Sequence, residues 1–360
     1  MDYKGRLGRA RQKLQESRLE AFIVTHLANV RYLSGFSGTA GVLFVSASAN
    51  VFFTDGRYRQ QAREEVRGAT VRIRPGKSAL AAAAEWLEGR NSYRRIGIEA
   101  SHLTVADRKL LARSLGGRRK LVEAPAIVDE LRMVKDSGEV PRIRAACHLG
   151  DQLFRRLLKV IRPGIPESEA AGEVEFAARK AGADQMAFPT IIAGGTRSSL
   201  PHGRASIAAI PSRGFVVCDF GVILAGYCSD MTRTVHLGRP SVEARNLYEA
   251  VREAQQAALE AVKPGKSVGE VDQAARNLLQ RRRLAKFFTH STGHGVGLEI
   301  HESPRIAAGQ PEQLRPGMVI TVEPGVYVPG KWGVRVEDTV VVTDSGCEVL
   351  TQSPKELIAL

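Results

Sequence analysis

Two acidic residues lie where apolar strands are expected. Residues 215–235, FVVCDFGVILAGYCSDMTRTV, carry Asp219 directly after the apolar run 215–218 and Asp230 inside a second extended run, 227–235. Both runs are rich in β-forming residues, and Gly221 and Gly226 punctuate a turn between them. The stretch therefore predicts a β-hairpin with one carboxylate on each arm. Burying an ionised carboxylate is costly unless it is paired or binds a metal. Taken alone, the two would be read as satisfied structural aspartates. The rest of the second half of the chain weighs against that reading.

Further along, HSTGHGVGLEIHESPRI spans 290–306. Glycines 293, 295 and 297 allow close backbone approach around His294. They lack the strand-to-helix setting that a phosphate loop needs. The apolar run 318–322 then ends in Glu323-Pro324-Gly325, and the run 332–336 ends in Glu337-Asp338. Four carboxylates (Asp219, Asp230, Glu323, Glu337) and one imidazole (His294) thus sit on or beside buried extended runs. Such a group repels itself unless positive charge lies within it. Arg335 brings a single charge, whereas two divalent cations would balance the set. Oxygen-rich ligands with one histidine suit Mn²⁺, Co²⁺ or Fe²⁺ and fit Zn²⁺ less selectively. A two-metal site supplies a nucleophile at neutral pH and polarises a carbonyl. The residues point to a dinuclear metallohydrolase.

The chain of 360 residues, 43% hydrophobic and 25% charged, is long enough for two domains with sizeable cores. It holds no apolar run of about 18 residues, as a membrane span requires. The N-terminus has basic residues without an apolar segment, unlike a secretory signal. The four cysteines form no CxxC pair, so they are expected to be reduced and mostly buried in a cytoplasmic protein. The net charge is +14, but basic clusters such as Arg94-Arg95, Arg155-Arg156 and Arg281-Arg282-Arg283 are scattered and aromatics make up only 6%. That pattern reads as an arginine-rich solvated surface, with no specific nucleic-acid partner and no membrane partner.

In the first 125 residues, helical and strand-like patterns alternate. A helix is expected over about 6–19, strands at 21–24, 41–45 and 51–54, and a polar helix from Asp55 to about 66. Then come a strand at 71–74, an alanine-rich helix at 79–87, a strand at 95–98, a helix at 104–115 and a last strand at 120–122. This order predicts an α/β domain with a mixed sheet. Residues 125–141 read as the boundary, where a helix starting near Ile127 is interrupted by Ser137-Gly138 and Pro141. A long helix with an apolar face on Ile143, Cys147, Leu153 and Leu157 then runs to about 161. An internal echo follows: Ile161-Arg162-Pro163-Gly164 returns as Val262-Lys263-Pro264-Gly265, and each copy is followed by an alanine-rich helical stretch. Two related halves facing each other across a pseudo-two-fold would place a site at their junction.

The segments VVCDFG, YCSDMTRTV, STGHGVGLEIHESP, ITVEPGVY and GVRVEDTVVV together resemble the pita-bread metallopeptidases, in particular their Xaa-Pro aminopeptidase and Xaa-Pro dipeptidase (prolidase) branch. NVRYLSGFSG and FFTDGRYRQQA resemble the creatinase-like N-terminal domain of that branch. The resemblance covers nearly the whole chain. It implies an α/β (α+β) fold with a creatinase-like domain over 1–125 and a pita-bread domain with related halves over 126–360. It also implies roles. Asp219 would bind one metal through both oxygens, Asp230 and Glu337 would bridge two metals, and His294 and Glu323 would complete the other. Glu323 would also act as general acid/base. His202 would contact the substrate near the scissile carbonyl, and His301 would steady the tetrahedral intermediate. Arg335 would brace the bridging carboxylates. Arg305 would reach the substrate carboxylate or, equally, pair with Glu302 at the surface. His290 is read as structural.

The implied activity is hydrolysis of the Xaa-Pro bond in dipeptides or at the N-terminus of peptides with proline second. The implied cofactors are two divalent ions, Mn²⁺ foremost, and the implied assembly is a homodimer. A methionine aminopeptidase shares the five-ligand pattern, but the added N-terminal domain and the HESPR stretch stand against it. Creatinase has the same two-domain plan without metal, and here none of the five ligands is replaced. A non-catalytic pita-bread binding protein gains some support from the +14 charge and loses it to the intact ligand set. Dipeptidase and aminopeptidase specificity both remain open.

Overall fold

The computed structural model describes residues 1–116 and 119–360. The chain divides into two compact units, Met1–Arg132 and Met133–Leu360, and the division falls within 125–141. Among the described residues no helix is long and apolar enough to cross a membrane.

The first unit is built on one six-stranded sheet. Its strands are β1 (Ala21–Val24), β2 (Val42–Ser46), β3 (Asn50–Thr54), β4 (Thr70–Ile73), β5 (Arg95–Ile98) and β6 (Lys120–Glu123), in the order β4-β3-β2-β1-β5-β6. The pairs β1–β2 and β2–β3 are antiparallel and the others parallel, so the sheet is mixed as expected. β1 and β2 are buried on both faces, which is why they read as continuous apolar runs rather than as alternating ones. The helix Ala79–Glu88 packs Ala82, Ala83 and Leu87 against Phe44 and Phe53, small residues giving close contact with large ones.

The helix Leu27–Ser34 was not expected from NVRYLSGFSG. Its start is held by Glu99, whose carboxylate accepts from the backbone N–H groups of Thr25 (2.6 Å) and His26 (2.8 Å). Gly35, at φ +86°, ends it.

In the second unit Pro141 does not interrupt a helix but stands in the first turn of the long one, Val140–Val160, where a missing N–H costs nothing. The echo in the sequence corresponds to a structural repeat. The helices Glu167–Lys180 and Val268–Arg281 are offset by 101 residues at both ends. Each follows a Pro-Gly turn whose glycine has a left-handed backbone, Gly164 at φ +84° and Gly265 at φ +82°. Gly164 N–H donates to Ile210 O and Gly265 N–H to Leu314 O, both at 2.8 Å. Each turn is thereby fastened to the segment that follows its helix.

The expected hairpin is more elaborate than a single turn. The strands Gly214–Phe220 and Met231–Leu237 pair antiparallel, with Asp219 opposite Thr232. Between them the chain leaves to form Val222–Leu224 and Tyr227–Cys228, which pair in a separate sheet. Asp230 therefore lies just ahead of the second arm rather than on it. Ile191–Gly194 completes this three-stranded sheet. A five-stranded sheet carries Gly293–Gly295 between Glu302–Ile306 and Val319–Val322, with Asp338–Val342 and Cys347–Val349 beyond. Gly325–Val328 and Trp332–Arg335 form a two-stranded ribbon. None of the four cysteines is in a disulfide, and Cys147, Cys218 and Cys228 are buried.

Candidate active site

Strand alternation sets the site. On Gly214–Phe220, Cys218 and Phe220 point into the apolar core, so Asp219 points to the opposite face. Thr232 stands across from it. Asp230 precedes that partner strand, Glu323 follows Val319–Val322, and Glu337 lies between Trp332–Arg335 and Asp338–Val342. Glycine makes the approach of His294 possible: a Cβ at Gly293 would stand 2.0 Å from Thr321 O, and one at Gly295 2.3 Å from Ser303 O. All five predicted ligands, with His202, His301, Arg305 and Arg335, line one cavity of about 770 Å³.

The carboxylates are held by a fixed hydrogen-bond frame. Arg335, buried, donates through Nη2 to Asp219 Oδ2, through Nε to Thr232 Oγ1 (3.0 Å) and through Nη1 to Pro201 O (3.1 Å). Thr232 Oγ1 passes its own proton toward Glu337 Oε2 (2.6 Å). Arg335 was expected to brace the bridging pair. It grips Asp219 directly and reaches Glu337 only through the threonine, because Thr232 occupies the space between them. Thr321 Oγ1 donates to Glu323 Oε1 (3.3 Å) and accepts from His294 N–H (3.1 Å).

Burial raises all four carboxyl groups, and repulsion by neighbouring carboxylates adds to it for Asp230, Glu323 and Glu337. Asp230 is pushed well up by burial and then by Glu337, Asp219 and Glu323. Glu337 is pushed well up by burial and then by Glu323 and Asp219. Glu323 rises to about 8, burial outweighing the pull of Arg335. Asp219 also rises through burial, against Arg335. His294 is lowered to about 4, chiefly by burial, and is a neutral imidazole at pH 7. Its Nδ1 faces Gly295 O at 3.0 Å, an atom that only accepts, so Nδ1 carries the hydrogen. Nε2 then presents its lone pair toward Asp230 Oδ2 (3.5 Å) and Glu323 Oε1 (3.4 Å). A backbone carbonyl that accepts from one ring nitrogen and so aims the other is the usual arrangement for a metal-binding histidine.

These features fit divalent cations. Asp230, His294 and Glu337 each offer a ligand atom, all within 4.8 Å of one another. Asp219 Oδ1 is buried with no hydrogen-bond partner, a costly state that a cation would relieve. The sign of the pH effect follows. Each carboxyl has a higher pKa folded than unfolded, so the native chain binds more protons. That contribution is complete below the unfolded carboxyl value, about 4.3, and is lost as pH rises through the folded values, about 8 for Glu323. Chelator-treated protein should melt at a lower temperature at pH 8 than at pH 5, and Mn²⁺ should raise the melting temperature more at pH 8. A metal-free chain equally stable at both pH values would contradict the electrostatic picture.

His202 and His301 are exposed at the cavity. The His301 ring lies 4.4 Å from that of His294, edge to face, and its pKa is lowered by burial and then by His202. Arg305 stands directly across the ladder from His294. The alternative pairing of Arg305 with Glu302 is not what the structure contains. Glu302 instead meets Lys135 (3.2 Å), both side chains being almost fully buried.

Two residues outside the predicted set support Arg335. His290, read as structural, lines the cavity. Its Nδ1 faces Ser291 O (2.8 Å) and its Nε2 meets the Tyr327 hydroxyl (3.0 Å), which also accepts from Arg335 Nη1 (2.5 Å). His290 and Tyr327 thus stand behind Arg335 and help fix its orientation. Tyr327 lies within the quoted ITVEPGVY, but its aromatic position in an apolar run gave no sign of a polar task.

Comparison with known proteins gives two family matches. Residues 141–344 match metallopeptidase family M24, and residues 6–134 match the creatinase/prolidase N-terminal domain. A peptidase of Bacillus subtilis, YqhT, is 40% identical over 342 residues, covering 95% of this chain and 96% of its own length. The solved structure of an Xaa-Pro dipeptidase from Bacillus anthracis superposes with a TM-score of 0.95 at 37% identity, covering 99% of this chain and 100% of that one. An X-Pro aminopeptidase from Thermotoga maritima superposes with a TM-score of 0.89 at 34% identity, covering 97% and 100%.

Proposed function

Because the chain belongs to metallopeptidase family M24, with a creatinase-like N-terminal domain and a pita-bread catalytic domain, we propose that it hydrolyses the peptide bond preceding proline. The observation that carries this reading is the cavity itself. It gathers three buried carboxylates and the partly buried Glu323 around one oriented, neutral imidazole, and two histidines and an arginine also line it. Divalent metal ions belong to this family's chemistry, and Asp219, Asp230, His294, Glu323 and Glu337 would hold them here, Mn²⁺ being the ion we propose. When bound, they polarise the scissile carbonyl and provide a nucleophile at neutral pH.

The chain's own residues divide the remaining work. Glu323 lines the cavity beside His294 Nε2 (3.4 Å) and is suited to act as general acid/base toward the leaving proline nitrogen. His202 and His301 reach the cavity from separate loops and can donate an N–H to the carbonyl oxygen as negative charge develops on it. Arg335 holds Asp219 in place. Arg305, at the same cavity, would meet a substrate carboxylate. The Xaa-Pro names of relatives support the bond specificity. We further propose a homodimer in the cytoplasm, a location suited to four cysteines that form no disulfide.

The test is hydrolysis of an Xaa-Pro dipeptide and an Xaa-Pro tripeptide, side by side, by metal-stripped protein refilled with Mn²⁺. Release of the first residue from at least one of them is expected. If neither is cut while metal is bound, the metal site survives and the proline specificity does not.

A further inference from the structure

The rim of the cavity holds a second arginine with no assigned task. Arg204 lies two residues beyond His202, and its backbone is fastened on both sides. Arg204 N–H donates to His202 O (2.9 Å), and Arg197 Nη2 donates to Arg204 O (2.9 Å). Arg197 is itself held through Nε by Glu167 (2.9 Å), a buried carboxylate that also accepts from the N–H groups of Gly194 (2.9 Å) and Ser206 (3.1 Å). The main chain carrying Arg204 is thus tied to the interior by a buried charge. Its guanidinium, by contrast, is exposed at the cavity and makes no hydrogen bond, ion pair or ring contact with any described residue. Arg305 is in the same condition at the same cavity.

Many arginines on this basic surface are simply solvated, but few stand on a fixed backbone beside a catalytic cleft. A guanidinium carries its donors in a planar fork that matches a carboxylate. With Arg204 and Arg305 both lining it, the cavity presents positive charge to the carboxylate end of a zwitterionic dipeptide. We propose that Arg204 is a specificity-determining residue. It takes, together with Arg305, the free carboxylate that directly follows proline, and so favours Xaa-Pro dipeptides over substrates that continue past or block that carboxylate. This rests on the proposed Xaa-Pro hydrolysis.

The experiment compares kcat/KM for an Xaa-Pro dipeptide with that for the same dipeptide carrying a C-terminal amide, using Mn²⁺-loaded wild type, Arg204→Gln and Arg204→Lys. Wild type should prefer the free acid. Arg204→Gln should reduce that preference by about tenfold, mainly through KM for the acid, and Arg204→Lys should restore part of it. An unchanged acid-over-amide ratio in Arg204→Gln overturns the assignment, as does an equal loss on both substrates. If wild type cuts neither compound, the Xaa-Pro reading itself fails and this inference falls with it, a result distinct from cleavage with an unchanged ratio.

Discussion

Glu337→Ala and Asp230→Ala are each expected to lower kcat/KM for an Xaa-Pro substrate by about a thousandfold or more and to reduce the bound metal per chain. The physical reason is that both carboxylates are buried in a cluster of like charges whose burial makes sense only around cations. Removing one takes away a ligand and with it several kcal/mol of transition-state stabilisation. Folding should survive, because alanine also removes one of the mutually repelling acids. Metal content by atomic emission and activity on the same preparation check this. Full activity with unchanged metal in either variant would refute the ligand assignment.

Arg233→Leu should destabilise the second unit by about 3–5 kcal/mol, the largest stability loss expected from a single residue outside the cavity. Thr232 faces the site, so Arg233, its neighbour on the strand, projects to the other side. There it pairs with the fully buried Asp338 (2.7 Å) and donates to Ser353 O (2.8 Å), Pro354 O (3.1 Å) and the carbonyl of Glu337. Burial alone would raise the Asp338 carboxyl. Arg233 and Lys355 outweigh it and hold the group below its ordinary value. Without Arg233, an ionised carboxylate is left in the core with one cation fewer. Chemical denaturation of metal-loaded protein would measure the loss, and Arg233→Leu combined with Asp338→Asn should recover part of it. A single variant as stable as wild type would show that the other donors to Asp338 suffice.

Glu337 and Asp338 illustrate how much a sequence conveys. Adjacent acids at the end of an apolar run announce a buried polar feature, and strand alternation says they face opposite ways. Which one enters the cavity depends on Thr232 and Arg335 on one side and on Arg233, Gln255, Thr351 and Lys355 on the other. Three of those partners, Thr232, Arg233 and Gln255, lie 83 to 105 residues away. The resemblance of GVRVEDTVVV to a known motif supplied what local pattern could not.

Local signals served well wherever the interaction was local. The mixed sheet of the first unit, the two Pro-Gly turns with their alanine-rich helices and the acids on apolar runs were all legible. Propensity and side-chain period act within a few residues, and a left-handed turn after Pro needs glycine at that position. The helix Leu27–Ser34 was missed because the carboxylate that holds the chain just ahead of it comes from Glu99, more than 70 residues on. That Glu302 meets Lys135 rather than Arg305 was likewise beyond local pattern, since Lys135 approaches it from 167 residues earlier in the chain. The sequence by itself determined which residues could be buried acids, turns and strands. Only the tertiary structure decided which acids share a cavity, which arginine braces them and which arginines stay free at its rim, because electrostatic partnership depends on distance in space and the chain encodes only order.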